Sequence, residues 1–285
     1  MLVPRSSRIV ALVVSSLQNQ FFPQVAQTIS QQLQRNGYRV LLFIEEIDEA
    51  ADGVLSEILQ YEVDGIVTVS AMISETLAHS LTQIGIPIVQ FGRVSTPDAT
   101  SSQFMSTVTC NNYLGGAMVA DLLIQRGYRR LAYLAGLEDS STSIDRERGF
   151  RDRLNALGFS LHRREVGHYD FERAQAAIRR MFSDREPDAV FAANDHMAIA
   201  AMDVLRLELG LNIPEQVGLV GFDDMALASL GSYRLTTVHQ QIDLMAQKTA
   251  ELLCEQIRDA ASPRNIVFPC VIVERDTVRR LPEER

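Results

Sequence analysis

The sequence predicts an α/β protein built as two doubly wound subdomains, each around a parallel sheet. Three observations predict it. Short Val- and Ile-rich runs of four to six residues alternate with helical stretches that close on glycine. The runs are apolar throughout instead of alternating, as in strands covered on both faces. The pattern stops at the polar stretch 95–102 (STPDATSS) and then restarts, with RNGYRVLLF at 35–43 echoed by QRGYRRLAYLAG at 125–136. Each echo is a helix end, a glycine and a strand start, so shared local chemistry is a second way to produce it.

Ile9–Val14 is the first strand. Arg5 and Arg8 ahead of it resemble the start of a signal peptide, but the apolar run ends after six residues at Ser15 and Ser16, with no small-residue cleavage site. Phe22, Val25, Ala26, Ile29 and Leu33 then recur at helical spacing, with Pro23 early and Gly37 closing the helix. Strands follow at Val40–Ile44, Gly65–Val69 and Ile88–Phe91, with helices over Leu55–Leu59 and Leu77–Ile84 between them. After the polar stretch, helices are expected over Tyr113–Arg126, Asp145–Leu157, Phe171–Phe182 and His196–Leu209. They alternate with strands at Leu131–Ala135, Leu161–Val166, Ala189–Ala192 and Val217–Val220. A long helix, Ile242–Asp259, and two short strands, Ile266–Phe268 and Val271–Glu274, come last; one helix and one strand suit completion of the first sheet.

Composition narrows the function classes. The 285 residues carry 27 basic and 36 acidic side chains, a formal charge of −9 that repels phosphate backbones. Lys248 is the sole lysine, and no glycine loop precedes it, so Schiff-base and P-loop chemistry are close to excluded. Cys110, Cys254 and Cys270 form no CxxC pair, which fits a reducing cytoplasm and argues against a disulfide framework. The five histidines (His79, His162, His168, His196, His239) show no HxxxH or HExxH spacing, so no metal is expected. No apolar run approaches the roughly 18–20 residues of a membrane span.

In open α/β sheets, ligands bind beyond the carboxyl ends of the strands. That rule selects Ser15, Ser16, Asn19, Phe21, Phe22, Ser70, Met72, Gly92 and Arg93 in the first half. In the second half it selects residues 139–146, Gly167–His168–Tyr169, Asn194–Asp195 and Gly221–Phe222–Asp223–Asp224. Aromatics, amides, carboxylates and arginines suit a polyhydroxylated or heterocyclic ligand. Structural roles fit some of them as well: Asp195 and Asp145 suit N-caps, and Phe21 and Phe22 suit the core, Phe22 lying on the apolar stripe. There is no GxSxG, GxGxxG or GxxxxGK[ST] motif, and no nucleophile is seen with its base. Asp223 and Asp224, adjacent in an extended segment, point to opposite sides, so they are not assigned as an acid/base pair.

Several segments, taken in order from about Arg8 to Arg280, carry a resemblance. They are VALVVSSLQNQFF (10–22), VDGIVTVSA (63–71), IPIVQFGR (86–93), VTCNNYLGGAMVADLLIQRGYRRLAYLAG (108–136), DRERGFRDRL (145–154), AVFAANDHMAIAAM (189–202), LNIPEQVGLVGFDD (211–224) and LTTVHQQIDLMAQKTAELL (235–253). The chain resembles the effector-binding domain of lactose-repressor/galactose-repressor (LacI/GalR) type transcriptional regulators, which share the periplasmic-binding-protein fold with a ligand cleft between two subdomains. The resemblance implies a first subdomain over 8–110 plus 241–267 and a second over 111–240 plus 268–285, with 1–7 (MLVPRSS) as a hinge remnant or, since LVPR resembles a fragment of an engineered protease site, an added tail. It implies a ligand site of Ser15, Phe21, Phe22, Arg146, Tyr169, Asn194, Phe222, Asp223 and Gln240. Arg146 would fork onto ligand hydroxyls or a carboxylate, Tyr169 would supply a platform, and Asn194 and Asp223 would hydrogen-bond the ligand.

The sequence departs from the family pattern at Asn111–Asn112, where Asp-Asn is common, at Gly92–Arg93, where many members have Asp-Arg, and at His168. With seven residues ahead of Arg8, the helix-turn-helix headpiece is expected to be absent from this chain. What the resemblance implies is a non-enzymatic sensor of a sugar, nucleoside or purine in a cytoplasmic homodimer, acting as a repressor. It needs no cofactor and no membrane, and it reaches operator DNA through a headpiece. A transporter's solute-binding protein shares the fold and is the alternative.

Overall fold

Uniformly apolar strands need cover on both faces, and the chain forms two six-stranded sheets of that kind with helices around them. The computed structural model describes residues 7–44, 57–71, 75–94, 105–184, 186–259 and 261–280. In chain order these form β1 (Ile9–Val14), α1 (Phe21–Arg35), β2 (Arg39–Ile44), a 3₁₀ turn (Leu59–Tyr61), β3 (Gly65–Val69), α2 (Glu75–Gln83), β4 (Ile88–Phe91) and β5 (Ser106–Cys110). There follow α3 (Asn112–Gln125), β6 (Leu131–Ala135), α4 (Ser141–Ala156), β7 (Arg163–Val166), α5 (Phe171–Met181), β8 (Ala189–Ala192) and α6 (Asp195–Asp203). A π-helical turn (Val204–Glu208), β9 (Gly218–Asp223), a second 3₁₀ turn (Ala226–Ser229), β10 (Thr236–Gln240), α7 (Ile242–Asp259), β11 (Asn265–Phe268) and β12 (Cys270–Val273) complete the described chain. The expected positions Leu55 and Met72, the polar stretch 95–102 and residues 1–6 lie outside the described residues.

The chain divides into two units, Met1–Cys110 with Gln241–Phe268 and Asn111–Gln240 with Pro269–Arg285. Residue 268, expected in the second unit, belongs to the first, because β11 pairs through Phe268 to Cys110.

The first unit's sheet runs β11-β5-β4-β3-β1-β2, and every pairing in it is parallel. α1 buries Phe21, Val25, Ala26, Ile29 and Leu33 against it. This corrects the sequence reading: the stripe begins at Phe21, four residues before Val25, and Phe22 is half-buried beside it. Gly37, at φ +83°, ends α1 in the left-handed turn that glycine permits, and the Tyr38 N–H closes back onto the Leu33 carbonyl. α7 lies across β3 so closely that a Cβ on Gly65 would sit 2.9 Å from Leu253 Cδ1. Fully buried side chains such as Ile29, Leu33 and Leu253 each contribute roughly 1.5–3 kcal/mol of transfer free energy.

The second unit's sheet runs β12-β10-β9-β8-β6-β7, parallel except for β12, which pairs antiparallel to β10. Tyr133, Phe150 and Phe191 form a buried aromatic cluster, with ring centroids 5.1–6.1 Å apart. Several expected boundaries shift here. α4 starts at Ser141, so Asp145 lies inside the helix and cannot cap it. The strand expected from Leu161 begins at Arg163. The long helix expected to Leu209 stops as α-helix at Asp203 and continues as the π-helical turn. β9 extends to Asp223 and so carries Phe222 and Asp223 within the sheet. β10 was not expected at all.

Candidate functional site

The site in the second unit begins with two glycines. A Cβ on Gly116 of α3 would lie 2.1 Å from the Arg146 carbonyl oxygen, and one on Gly149 of α4 would lie 1.9 Å from the Tyr113 carbonyl oxygen. The two helix backbones therefore touch, which small residues alone allow, and this brings Asn112 and Arg146 together. The Asn111 side chain caps α3 by accepting from the Leu114 N–H at 2.9 Å, leaving the following Asn112 at the first helical position.

Arg146 is 4% exposed. Its Nε donates to Asn112 Oδ1 at 2.8 Å and its Nη1 to the Ala193 carbonyl at 2.5 Å, while Nη2 lies 3.3 Å from Asp223 Oδ1. The guanidinium stacks 3.6 Å above the Phe222 ring centroid, a desolvated cation–π contact. Asp223 Oδ1 also accepts from Gln240 Nε2 at 2.7 Å. Five elements (α3, α4, β8–α6, β9 and β10) thus converge on one buried ion pair.

Burial pushes the Asp223 carboxyl up to about 6, with the Arg146 charge and the bonds from Gln240 and Arg146 opposing the rise. Asp195, fully buried, is held well above the usual carboxylate range by burial and then by the neighbouring Asp223 charge. Its Oδ1 accepts from Thr237 Oγ1 at 2.5 Å and its Oδ2 from the Met225 N–H at 2.9 Å. Asp195 is not the expected cap of α6. Asn194 is, its Oδ1 accepting from the Met197 N–H at 2.9 Å.

The sign of the pH effect follows from the raised value. An unfolded aspartate titrates near ~3.9, so Asp223 favours folding most below about pH 4, and that contribution is lost as pH rises through 6. The stability of the parent relative to Asp223→Asn is expected to grow by up to about 3 kcal/mol between pH 7 and pH 4, read by calorimetry of both proteins. A difference that does not vary with pH contradicts this.

Tyr169 stands at a strand end on strained backbone: His168 and Tyr169 have φ 55° and 59°, left-handed values uncommon for such residues. The half-buried ring covers Gly136 so tightly that a Cβ there would meet Tyr169 Cζ at 2.2 Å, and its hydroxyl is 3.1 Å from Thr142 Oγ1.

In the first unit, Phe21 is 5% exposed and belongs to the core stripe. Half-buried Phe22 meets it edge to face at 5.7 Å, and Ser15 is half-buried. Asn19, also selected by the strand-end rule, is buried and accepts the Phe21 N–H at 3.0 Å.

Of the nine expected ligand residues, the structure brings Arg146, Phe222, Asp223 and Gln240 into one cluster, with Asn194 one residue from the Ala193 carbonyl that Arg146 uses. Phe222 is wholly buried and serves as a floor for Arg146. Sequence reasoning missed Asn112, whose signal is its place directly after a capping asparagine. It also missed Asp195 as a buried carboxyl, because an N-cap reading absorbed it.

The periplasmic binding protein-like domain family matches residues 120–278. The HTH-type transcriptional regulator CelR of Thermobifida fusca is 31% identical over 286 residues, spanning 97% of this chain and 83% of that protein. MalR of Streptomyces coelicolor, another HTH-type regulator, is 30% identical over 295 residues, spanning 99% and 83%. A solved CelR–cellobiose complex superimposes with a TM-score of 0.84 at 30% identity, covering 96% of this chain and 86% of that one. A periplasmic binding protein/LacI regulator from Alkaliphilus metalliredigens, complexed with D-xylulofuranose, gives 0.84 at 25% identity, covering 96% of this chain and 100% of that one.

The chain belongs to the LacI-type transcriptional regulators. It forms an effector-binding regulatory domain rather than a transporter's solute-binding protein. At the regulator's departure from the family pattern, Gly92 sits at φ +83°, a left-handed value that glycine adopts without steric cost. Among the described residues of the regulator no group of three His, Cys, Asp or Glu side chains is placed to hold a metal, and no helix is long and apolar enough to cross a membrane.

Proposed function

We propose that this domain senses an uncharged sugar and binds it through Asp223, Arg146, Asn194, Gln240 and Tyr169 of the second unit. The observation that carries the proposal is the buried Arg146–Asp223 pair. Its two charges offset each other, and among the described residues the bonds to Asp223 converge on Oδ1, with Oδ2 on the other side of the carboxylate to accept a hydroxyl. A paired cation and anion with a flat tyrosine face suit vicinal hydroxyls on a ring. The cellobiose and xylulofuranose complexes of the relatives favour a saccharide over a nucleoside or purine.

The domain acts without catalysis, as a cytoplasmic homodimer that represses transcription through the helix-turn-helix part of the regulator. The sugar changes operator affinity only through its differential affinity for two states of the protein, and the coupling is reciprocal.

The test is a thermal-shift panel of cellobiose, D-xylulose, adenosine and hypoxanthine, with sedimentation velocity on the same sample. A saccharide at about 100 times its Kd is expected to stabilise the fold by roughly 2.7 kcal/mol, an upward shift of about 5 °C at this size. Stabilisation by hypoxanthine or adenosine with none by either sugar overturns the sugar reading, and a monomer in sedimentation overturns the dimer.

A further inference from the structure

The last residue of strand β9 and the two that follow it are each held by different partners. Asp223, at φ 114°, meets Arg146 and Gln240; Asp224, at φ 55°, meets Arg275 and His239; and the Met225 N–H meets Asp195. Two successive non-glycine residues at positive φ persist only where the surroundings over-determine them. At Asp224 the means are visible. Arg275 Nη2 donates to its Oδ1 at 2.6 Å, and His239 Nδ1 lies 3.0 Å from its Oδ2. Arg275 is itself anchored: its N–H donates to Thr236 Oγ1 at 2.9 Å and its Nη1 to the Leu235 carbonyl at 2.7 Å. The Arg275 and Asp224 side chains are 12% and 15% exposed, too sheltered for an ordinary surface ion pair. On β10, His239 and Gln240 are adjacent and grip Asp224 and Asp223 respectively.

We propose that Arg275, Asp224 and His239 form a positioning brace that fixes the left-handed turn at Asp223–Asp224 and so aims the Asp223 carboxylate at the effector, which the three do not touch. The proposal rests on Asp223 being a sugar ligand, as proposed above. The brace acts through backbone: a carboxylate held on both oxygens by β10 and the segment after β12 cannot let its own φ relax, and its neighbour's direction is fixed with it.

Cellobiose and D-xylulose titrations would compare the parent with Asp224→Ala and the isosteric Asp224→Asn, each also made in an Asp223→Asn background. Hydrogen exchange at the Met225 amide would be followed in sugar-free protein. The expected result is at least a tenfold loss of sugar affinity in Asp224→Ala, a smaller loss in Asp224→Asn, and no further loss from either in the Asp223→Asn background, because the brace acts only through Asp223. A lowered melting temperature with affinity within twofold of the parent overturns the brace and leaves Arg275–Asp224 a stabilising pair. If the parent binds neither sugar, the sugar reading fails and the exchange data judge the brace alone. Tenfold faster exchange at Met225 in both Asp224 variants supports it, and unchanged exchange overturns it.

Discussion

Asp223→Ala is expected to abolish useful sugar binding and to lower the melting temperature by about 5–8 °C. Both effects follow from the buried pair. Removing the carboxylate leaves the Arg146 guanidinium 4% exposed and without its anion, and breaking one side of a buried pair costs roughly 3–5 kcal/mol. The stated temperature shift follows from an unfolding entropy of ~2.1 cal/mol/K per residue. Affinity falls by about 100-fold, because a charged acceptor for a ligand hydroxyl is worth roughly 1.5–3 kcal/mol and the orientation of Arg146 goes with it. Asp223→Asn keeps the oxygen that Gln240 needs and should lose less stability. The double variant Arg146→Met/Asp223→Leu separates the two effects: it should recover most of the stability, since apolar residues replace a buried pair at little cost, yet bind no sugar. A single Asp223→Ala variant that melts within a degree of the parent and binds within threefold sinks the assignment.

Much of the fold was legible because the physics that buries a parallel strand writes itself into sequence as an unbroken apolar run. IVALVV, GIVTV and LAYLA could hardly be anything else between glycine-closed helices. β10 escaped for the same reason inverted. TTVHQ is polar to the eye, yet its threonines are wholly buried because Thr237 bonds Asp195 and the Thr236 N–H bonds Thr277. Local signals likewise misplaced one aromatic: Phe21 and Phe22 stand four and three residues before Val25, both helical spacings, so periodicity alone does not decide which one joins the core stripe. At the site, the strand-end rule picked Arg146, Asn194 and Asp223 one by one. It could not say that Arg146 and Asp223 meet, since 77 positions separate them and the contact depends on how α4 packs against the end of β9. Asp195 shows the limit most clearly, because an aspartate at a helix start reads as a cap until the asparagine before it is seen to hold that place.

The closest backbone approach in the second unit makes the other large prediction. Gly149→Ala is expected to destabilise the protein by about 3–5 kcal/mol, although alanine in a helix interior normally gains ~1 kcal/mol over glycine. The added carbon would sit 1.9 Å from the Tyr113 carbonyl oxygen and 2.7 Å from its carbon. These are backbone atoms that no rotamer change can move aside, so the helices must separate and overpacking outweighs propensity. Gly116→Ala presses on the Arg146 carbonyl from the other side and should behave alike. Gly127→Ala is the control: it has φ +84° but nothing within 4 Å of the added carbon, so it carries only the left-handed penalty of about 1–2 kcal/mol. Melting curves that rank Gly149→Ala at or above the parent contradict the close approach. Binding should fail with stability in this variant, and in a particular order. Asn112 rides on α3 and Arg146 on α4, so their 2.8 Å bond spans the very gap that widens. The guanidinium then loses its α3 anchor while its contacts to Asp223 and Phe222 remain within reach, and sugar affinity should fall even below the melting transition, where the unit is still folded.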